Sequence, residues 1–129
     1  MRTDFANTIL PLLPDDLVEV IVPRRIVQRI GREEFESTDK IWAPSYTEVF
    51  GADRGTDQTG DVGDVQFEFF KNKKNRIKFF NGDVNYWWLR SPNATNSTSF
   101  WDVYHSGHMY NNGAGSSNGV CPCFIISLQ

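Results

Sequence analysis

The chain has 129 residues, of which 40% are hydrophobic and 22% charged, a composition typical of a folded protein that forms one domain over residues 1–129. Its net charge of −3 argues against a general nucleic-acid binder, which needs a basic surface. No apolar run reaches about 18 residues and the start does not fit a signal peptide, so we expect no membrane insertion and no encoded leader.

The first segment of the chain predicts two short helices followed by an extended stretch. Apolar residues recur at helical spacing over residues 5–21, and two prolines divide this pattern. Asp15 or Asp16 is expected to cap the second helix, and Pro23 to end it. The basic segment 24–31 that follows is predicted to be an edge strand or an arm.

A short buried strand and a capped helix are predicted next. Ile41 and Trp42 form the strand, and a proline ends it. Ser45 and Glu48 have the spacing of a capping box, in which each side chain bonds the other residue's backbone N–H. Gly51 is expected to close the helix that this box opens.

The segment 52–64 is rich in Gly and Asp and shows no hydrophobic period. Its aspartates suggest a calcium loop, but their spacing does not match the twelve-residue ligand loop that ends in a Glu. A solvated acidic loop is the favoured interpretation.

A phenylalanine-rich region leads from this loop to a strand. It predicts a short helix, a basic turn at 71–76, a second short element, a turn at Asn81-Gly82 and a strand at 86–90. The basic turn could contact an acidic partner, but such a charge run is more often a solvated face.

Beyond residue 92 the apolar residues alternate with polar ones. This pattern predicts an antiparallel hairpin over residues 101–110 with its turn at 105–107. The segment 124–126 predicts a last strand that is buried on both faces.

Four linked segments resemble a domain of unknown function that is widespread in gut bacteria and their phages: DKIWAPSYTEVFG, FEFFKNKKNRIKFFNG, YWWLRSP and WDVYHSGHMYNNGAGSSNGVCP. In that family a W-L-R-S-P motif is followed by an Asn-rich W-x-V-x-x-x-G segment and a closing G-V-R-P strand. The family is similar in pattern to the C-type-lectin-like fold of formylglycine-generating-enzyme-type domains. The resemblance implies an α+β, C-type-lectin-like fold with short helices around a small antiparallel sheet and long loops, here without the family's usual N-terminal strands.

The resemblance also implies a ligand-binding module, because proteins of that fold that are diversified by retroelements carry their variable segment in this C-terminal position. Strand alternation places Val103 and Met109 inward and leaves Asp102, Tyr104 and other hairpin side chains outward. Tyr with Ser, Gly and Asn is the composition of antibody-like contact loops. The expected binding surface comprises Asn93, Asn96, Ser97, Trp101, Asp102, Tyr104, His105, His108, Tyr110, Asn112 and Ser116. An ordinary solvated hairpin is the competing interpretation.

The expected partner is a protein or glycan ligand on a cell surface. The domain itself is expected to be displayed on a virion or on a cell surface, and no cofactor is expected. Many of the surface residue types are reachable from asparagine codons by changes at adenine alone, which fits diversification by a retroelement. The alternative is a structural or oligomerisation domain of a phage or bacterial surface protein, in which the same face joins copies of the chain.

Other residues invite functional interpretations that the sequence does not favour. His105 and His108 lie at a turn without a neighbouring acidic or cysteine ligand in sequence, so no metal site is expected. Trp42, Trp88 and Arg90 are expected to be structural, with Arg90 held by buried carbonyls or a carboxylate. Whichever of Trp87 and Trp88 points outward is a candidate for stacking on a sugar.

Two cysteines, Cys121 and Cys123, stand where the resembling family has an arginine and a small residue. A disulfide between them would be strained, so two buried or half-buried thiols are predicted. A reactive thiol needs a nearby cation, helix N-terminus or metal, and the surrounding sequence offers none. Since no catalytic triad, phosphate loop or paired carboxylates stand out either, we expect no enzymatic activity.

Overall fold

Short helices and small antiparallel sheets make up the computed structural model, which describes residues 7–96 and 98–127. Helical residues 7–9 lead into the 3-10 helix Leu10–Leu12, and the α-helices are α1 (Asp15–Val20), α2 (Tyr46–Phe50) and α3 (Gly55–Thr59). Two further 3-10 helices are Glu68–Lys71 and Lys73–Arg76. The fold class is therefore α+β, as predicted.

In the described residues, nine strands pair into four antiparallel sheets. Two of these are hairpins, formed by β2 (Arg24–Ile30) with β3 (Glu33–Asp39), and by β4 (Lys78–Phe80) with β5 (Asp83–Asn85). A third joins the distant segments β1 (Ile21–Val22) and β9 (Ile125–Ile126). The fourth has three strands, β6 (Trp87–Pro92), β7 (Ser99–Val103) and β8 (Met109–Gly113), with β7 in the middle.

The capping box predicted for α2 is confirmed. The Glu48 backbone N–H donates to Ser45 Oγ at 3.1 Å, and the Ser45 N–H donates to Glu48 Oε1 at 3.0 Å. Gly51 ends the helix with a φ of 93°, a left-handed value that glycine adopts without a steric penalty. The two-residue hairpin turn at Asn81 and Gly82 is also confirmed, with φ values of 53° and 85°.

The prediction of an aspartate cap on the second helix was wrong. Pro14 is the N-cap of α1, and neither Asp15 nor Asp16 caps it, because the Asp16 carboxylate accepts from the adjacent Leu17 N–H instead. The helix also stops before Pro23, because Ile21 becomes extended and pairs with Ile126. The basic segment that follows forms strand β2, and all seven of its residues pair with β3 in a hairpin.

The core lies between the three-stranded sheet and α2. Tyr46 and Val49 of the helix pack against Trp87, Leu89, Trp101 and Val103 of the sheet, together with Phe70. Trp88 is buried as well, on the other face of β6, where its ring meets Phe100. Neither Trp87 nor Trp88 points outward, so the expectation of an exposed tryptophan for sugar stacking was wrong.

Two burial predictions are corrected by the structure. The last strand is half-exposed, with Ile125 44% and Ile126 46% accessible, because β1 is its only strand partner among the described residues. The Gly/Asp segment is not simply a solvated loop: it contains α3 and turns at Gly60 so that Asp61 is buried. The Asp61 carboxylate accepts hydrogen bonds from Thr47 N at 2.9 Å and from Ser91 Oγ at 2.6 Å.

Within the described ranges, no helix has both the length and the apolar character needed to cross a bilayer.

Candidate functional site

A cluster of aromatic rings lies at the end of the three-stranded sheet. This tyrosine cluster consists of Tyr86, Tyr104, His105 and Tyr110. The Tyr86 ring centroid lies 4.8 Å from that of Tyr104 and 5.8 Å from those of His105 and Tyr110. Tyr104 is 5.5 Å from Tyr110 and 3.9 Å from His105. The rings therefore form one continuous, partly exposed aromatic surface.

Backbone geometry fixes where these rings stand. Tyr110 is directly opposite Asp102 in the β7–β8 pairing. The Tyr104 N–H donates to His108 O at 2.7 Å, which closes the turn between the two strands, and Gly107 provides the left-handed residue of that turn with φ 86°. Tyr86 immediately precedes β6, next to Trp87 in the core. Each ring is thus attached to or beside a strand that the core holds in place.

Asp102 is fully buried beside this surface. Its Oδ2 accepts hydrogen bonds from Asn112 Nδ2 and from Asn118 Nδ2, the latter at 2.7 Å. Its Oδ1 is buried and has no hydrogen-bond partner in the described ranges. Burial raises the pKa of the Asp102 carboxyl, although the two asparagine hydrogen bonds oppose this shift. The carboxylate thereby bonds Asn112 of the neighbouring strand β8 and anchors Asn118 of the following loop to β7.

A groove of about 480 Å³ opens beside Tyr86. Its walls include Asn85, Ser117 and Asn118 as well as Lys78 and aromatic side chains of β4. Burial, followed by the neighbouring Tyr104 hydroxyl, raises the pKa of Tyr86 to about 12. The Tyr86 hydroxyl therefore stays neutral at physiological pH, and it can both donate and accept a hydrogen bond.

The two histidines have separate environments. Nε2 of the exposed His108 lies 2.6 Å from Lys73 Nζ. The lysine ammonium can donate a hydrogen bond to this ring nitrogen. His105 instead packs on the ring of Tyr104. Across the described residues, no three His, Cys, Asp or Glu side chains are grouped so that they would hold a metal ion.

The structure removes three residues from the predicted surface. Trp101 is in the core, where its Nε1 donates to Gln58 O at 3.0 Å, and Asp102 is buried under the two asparagines. Asn93 is buried too, and its side chain accepts from Thr95 within a turn. The inward placement of Val103 is confirmed. Met109 lies opposite it on the same face, where its Sδ accepts from Tyr46 Oη at 3.0 Å, although the residue is 38% exposed at the edge of the sheet.

The remaining predicted residues do not form one patch. Tyr104, His105, His108 and Tyr110 lie at or beside the turn that joins β7 to β8. Asn96 lies at the opposite end of β7, in the β6–β7 connection, where its Oδ1 accepts from Thr98. Ser97 falls outside the described residues. Asn112 is half-buried over Asp102, and Ser116 is exposed in the following loop.

Two residues of the site were missed by the sequence reasoning, Tyr86 and Asn118. Tyr86 had a usable signal, because strand alternation puts it on the opposite face from Trp87. Asn118 had none, since the loop is brought back over the sheet by the backbone bonds of Gly119 with Tyr86 and Trp88 and by the bond of Asn118 to Asp102.

The predicted structural residues surround a buried ionic centre. Arg90 Nη1 donates to Glu48 Oε1 at 2.7 Å and to Ala43 O at 2.8 Å, and Arg90 Nη2 contacts Asp64 Oδ2 at 2.9 Å. Arg24 also pairs with Glu48, and its guanidinium carbon lies 4.3 Å above the centre of the Trp42 ring. Arg90 is held by carboxylates and a carbonyl, as the sequence predicted.

Both cysteines are free and half-buried, as predicted. The expectation that nothing lowers a thiol pKa was incomplete, because folding brings Lys78 near Cys121. A hydrogen bond from Cys123 and the charge of Lys78 lower the pKa of Cys121 to about 7 despite burial, whereas the pKa of Cys123 is raised.

Comparison with known proteins gives one finding. A family model described as Domain of unknown function (DUF6273) matches residues 5–128, which is nearly the whole chain. No curated protein and no solved structure matches.

Proposed function

The chain belongs to the DUF6273 family of domains of unknown function, and we propose that this member is a ligand-binding domain that recognises a receptor through the tyrosine cluster. Its ligand is a protein or a glycan on a cell surface. The domain binds without catalysing a reaction.

The observation that carries this proposal is the arrangement of the rings. Tyr110 is 47% exposed although the rings of Tyr86 and Tyr104 lie against it, so part of its ring is available while its position is fixed. Tyrosine offers a large amphipathic contact area and loses little side-chain entropy when it binds. Rings that already contact one another lose even less side-chain entropy on binding, which increases the affinity.

The groove beside Tyr86 supports a polar or glycan ligand. Asn85, Ser117 and Asn118 place amide and hydroxyl groups next to an aromatic face. Sugars present hydroxyl groups along their edges and C–H groups on their faces, so this combination suits them. A protein loop with backbone amides would use the same groups.

A C-type-lectin-like scaffold is part of the proposal. It is supported by the W-L-R-S-P motif in β6, by the three-stranded sheet near the C-terminal end of the sequence and by the pairing of β1 with β9. Diversification by a retroelement remains a further hypothesis. A gene neighbourhood without a reverse transcriptase or a template repeat would remove its support.

The test is a binding screen of the purified chain against glycans and bacterial surface proteins. A double variant, Tyr104→Ser with Tyr110→Ser, removes the half-buried and the exposed tyrosine ring at the β7–β8 turn, and Phe69→Ser removes an exposed ring elsewhere as a control. We expect the double variant to lose at least about tenfold in affinity, as is typical for contact tyrosines, while the control binds normally. Equal binding by all three proteins would refute a role for the cluster.

A second candidate function is a structural or oligomerisation domain of a phage or bacterial surface protein. It is favoured by the apolar surface of the β1–β9 sheet, where Val22, Phe124, Ile125 and Ile126 are at least one-third exposed. Light scattering of the native chain and of Ile126→Asp tests it. A concentration-dependent oligomer that the variant abolishes supports assembly, and a monomer at every concentration argues against it.

A further inference from the structure

The groove beside Tyr86 is lined by two segments that lie far apart in the chain. One is the β4–β5 hairpin, and the other is the loop 117–120. This loop is fixed beside the start of β6, because Gly119 N donates to Tyr86 O at 2.9 Å and Gly119 O accepts from Trp88 N at 3.0 Å. The groove therefore has two walls that backbone hydrogen bonds hold in place, and its volume of about 480 Å³ lies within the range of small-molecule sites.

Each wall carries an asparagine whose amide group is held by one end only. Asn85 Oδ1 accepts from the Tyr86 backbone N–H at 2.8 Å, so Asn85 Nδ2 is the free end. Asn118 Nδ2 donates to Asp102 Oδ2 at 2.7 Å, so Asn118 Oδ1 is the free end. Neither free end has a hydrogen-bond partner in the described residues, and neither is buried. The groove thus presents a donor from one wall and an acceptor from the other.

A secondary amide is the chemical group that matches this pair. Its carbonyl oxygen accepts from Asn85 Nδ2, and its N–H donates to Asn118 Oδ1. A carboxylate or an isolated carbonyl group has no donor for Asn118. A hydroxyl group can bond either asparagine, but it brings no apolar part to the remaining lining of the groove.

The remaining lining favours an acetylated amino sugar over a peptide. Phe80 and Val120 line the same groove and are 63% and 47% exposed, so they offer an apolar surface to the methyl group of an acetamido substituent. The ring of Tyr86 offers a surface for the C–H groups of a pyranose. A peptide amide continues as a chain on both sides, whereas an acetamido substituent ends in its methyl group.

Charges of both signs lie near the groove, so no net charge is required of the ligand. Lys78 lines the groove, and its ammonium lies 5.4 Å from the centre of the Phe69 ring. Asp83 carries a negative charge on the same hairpin, and Asp102 is buried and bonded to Asn118. An uncharged acetamido group forms its hydrogen bonds without disturbing this arrangement.

We propose that the groove binds an N-acetylated amino sugar, an assignment that rests on the ligand-binding function proposed above and narrows its ligand to one class of glycan. The acetamido carbonyl oxygen accepts from Asn85 Nδ2, and the acetamido N–H donates to Asn118 Oδ1. The methyl group lies against Phe80 and Val120. The two asparagines therefore determine specificity, while the tyrosine cluster adds contact area beside the groove.

Two trisaccharides that differ only in the acetamido group test the proposal. Chitotriose consists of β-1,4-linked N-acetylglucosamine units, and cellotriose has a hydroxyl group in place of each acetamido group. We expect the native chain to bind chitotriose at least about tenfold more tightly in isothermal titration calorimetry, the factor for two weak neutral hydrogen bonds. Chitotriose alone should shift an amide proton of Asn85 downfield in proton–nitrogen NMR spectra. Acetyl-trialanine amide is the peptide probe, and it should bind no better than cellotriose.

A pair of variants on the hairpin locates the specificity. Asn85→Asp replaces the free donor by an acceptor and keeps an oxygen for the Tyr86 N–H, so it should lose the preference for chitotriose. Its spectrum also identifies the Asn85 amide signals by their absence. Asn81→Asp adds the same charge at the exposed turn of the hairpin, outside the groove lining, and should keep the preference.

Several results would overturn the proposal. These are no binding of chitotriose by the native chain, equal affinity for the two trisaccharides, a preference that Asn85→Asp retains, and peptide binding as tight as that of chitotriose. The function proposed above survives any of them if the native chain binds another cell-surface ligand that the double variant Tyr104→Ser with Tyr110→Ser loses. Chitotriose binding that depends on Asn85 but not on these two tyrosines would instead support the groove and refute the role of the cluster.

Discussion

Arg90 Nη1 and the Ser45 backbone N–H donate to the same carboxylate oxygen, Glu48 Oε1, at 2.7 and 3.0 Å. One buried side chain thus completes the cap of α2 and neutralises an arginine of β6. The same carboxylate receives Arg24 from β2. Glu48 therefore joins the hairpin, the helix and the central sheet.

Replacing Glu48 by Gln is expected to destabilise the protein strongly. Gln keeps the size of the side chain but leaves two arginines of a buried cluster without a full counter-charge, and breaking a buried pair typically costs about 3 to 5 kcal/mol. Urea unfolding measures the loss. Glu36→Gln is the control, since Glu36 pairs with Arg25 at the surface and its loss should have little effect. Similar losses in both variants would contradict this account.

The buried carboxyl of Asp102 should make stability depend on pH in an unusual direction. Burial raises its pKa, so the folded protein disfavours the charged form at neutral pH and is relieved of this cost as pH falls through the raised value. Asp102→Asn keeps an oxygen for the two asparagines and removes the charge. We expect the variant to be more stable than the native chain at pH 7, with a difference in unfolding free energy that shrinks on acidification. A difference independent of pH would refute this.

The close approach of Gly60 to β2 predicts a position-specific effect of alanine. Gly60 has φ 70°, and a Cβ there would lie 2.2 Å from Arg29 O. Gly55 has a similar φ of 65° but no atom within 4 Å of its Cβ position. Gly55→Ala should cost about 1 kcal/mol from backbone conformation alone, and Gly60→Ala at least about 3 kcal/mol because the backbones must also separate. Thermal unfolding compares the two variants. Equal losses of stability would show that the contact between Gly60 and Arg29 O can relax at little cost in free energy.

Cys121 is expected to be the more reactive thiol. Its hydrogen bond with Cys123 and the charge of Lys78 lower its pKa to about 7, so its rate of alkylation should rise through a midpoint near that pH. Cys123→Ala should move the midpoint upward, and Lys78→Gln should move it upward by less. Iodoacetamide labelling followed by mass spectrometry gives the rates. A native midpoint at the usual thiol value, about 8.5, would contradict the assigned environment.

The local features of the fold were predictable because their causes lie within a few residues. The capping box of Ser45 and Glu48, the Asn81-Gly82 turn and the hairpin turn at Gly107 depend on neighbouring groups alone. The destination of the acidic segment was not predictable, since Asp61 and Asp64 meet partners in α2, β2 and β6 that are far along the chain.

In the candidate site, too, only the features that depend on neighbouring residues were predictable. Alternation correctly separated Val103 from Asp102, but it does not tell whether a loop covers the outer face. Asp102 was assigned to the surface because its cover by Asn112 of β8 and by Asn118 of the following loop depends on side-chain hydrogen bonds that no spacing rule encodes. The binding role itself stays a prediction.

Asp102 also limits which residues the surface beside it can accept. Asn112 and Asn118 donate to its carboxylate, so a replacement at either position without a donor would remove one of the two asparagine hydrogen bonds to this buried group. Tyr104 and Ser116 carry no such bond to it. A randomised library built on this scaffold should therefore accept many residues at the latter two positions and few at the asparagines. The domain can therefore present fewer different binding surfaces than its number of polar surface residues suggests.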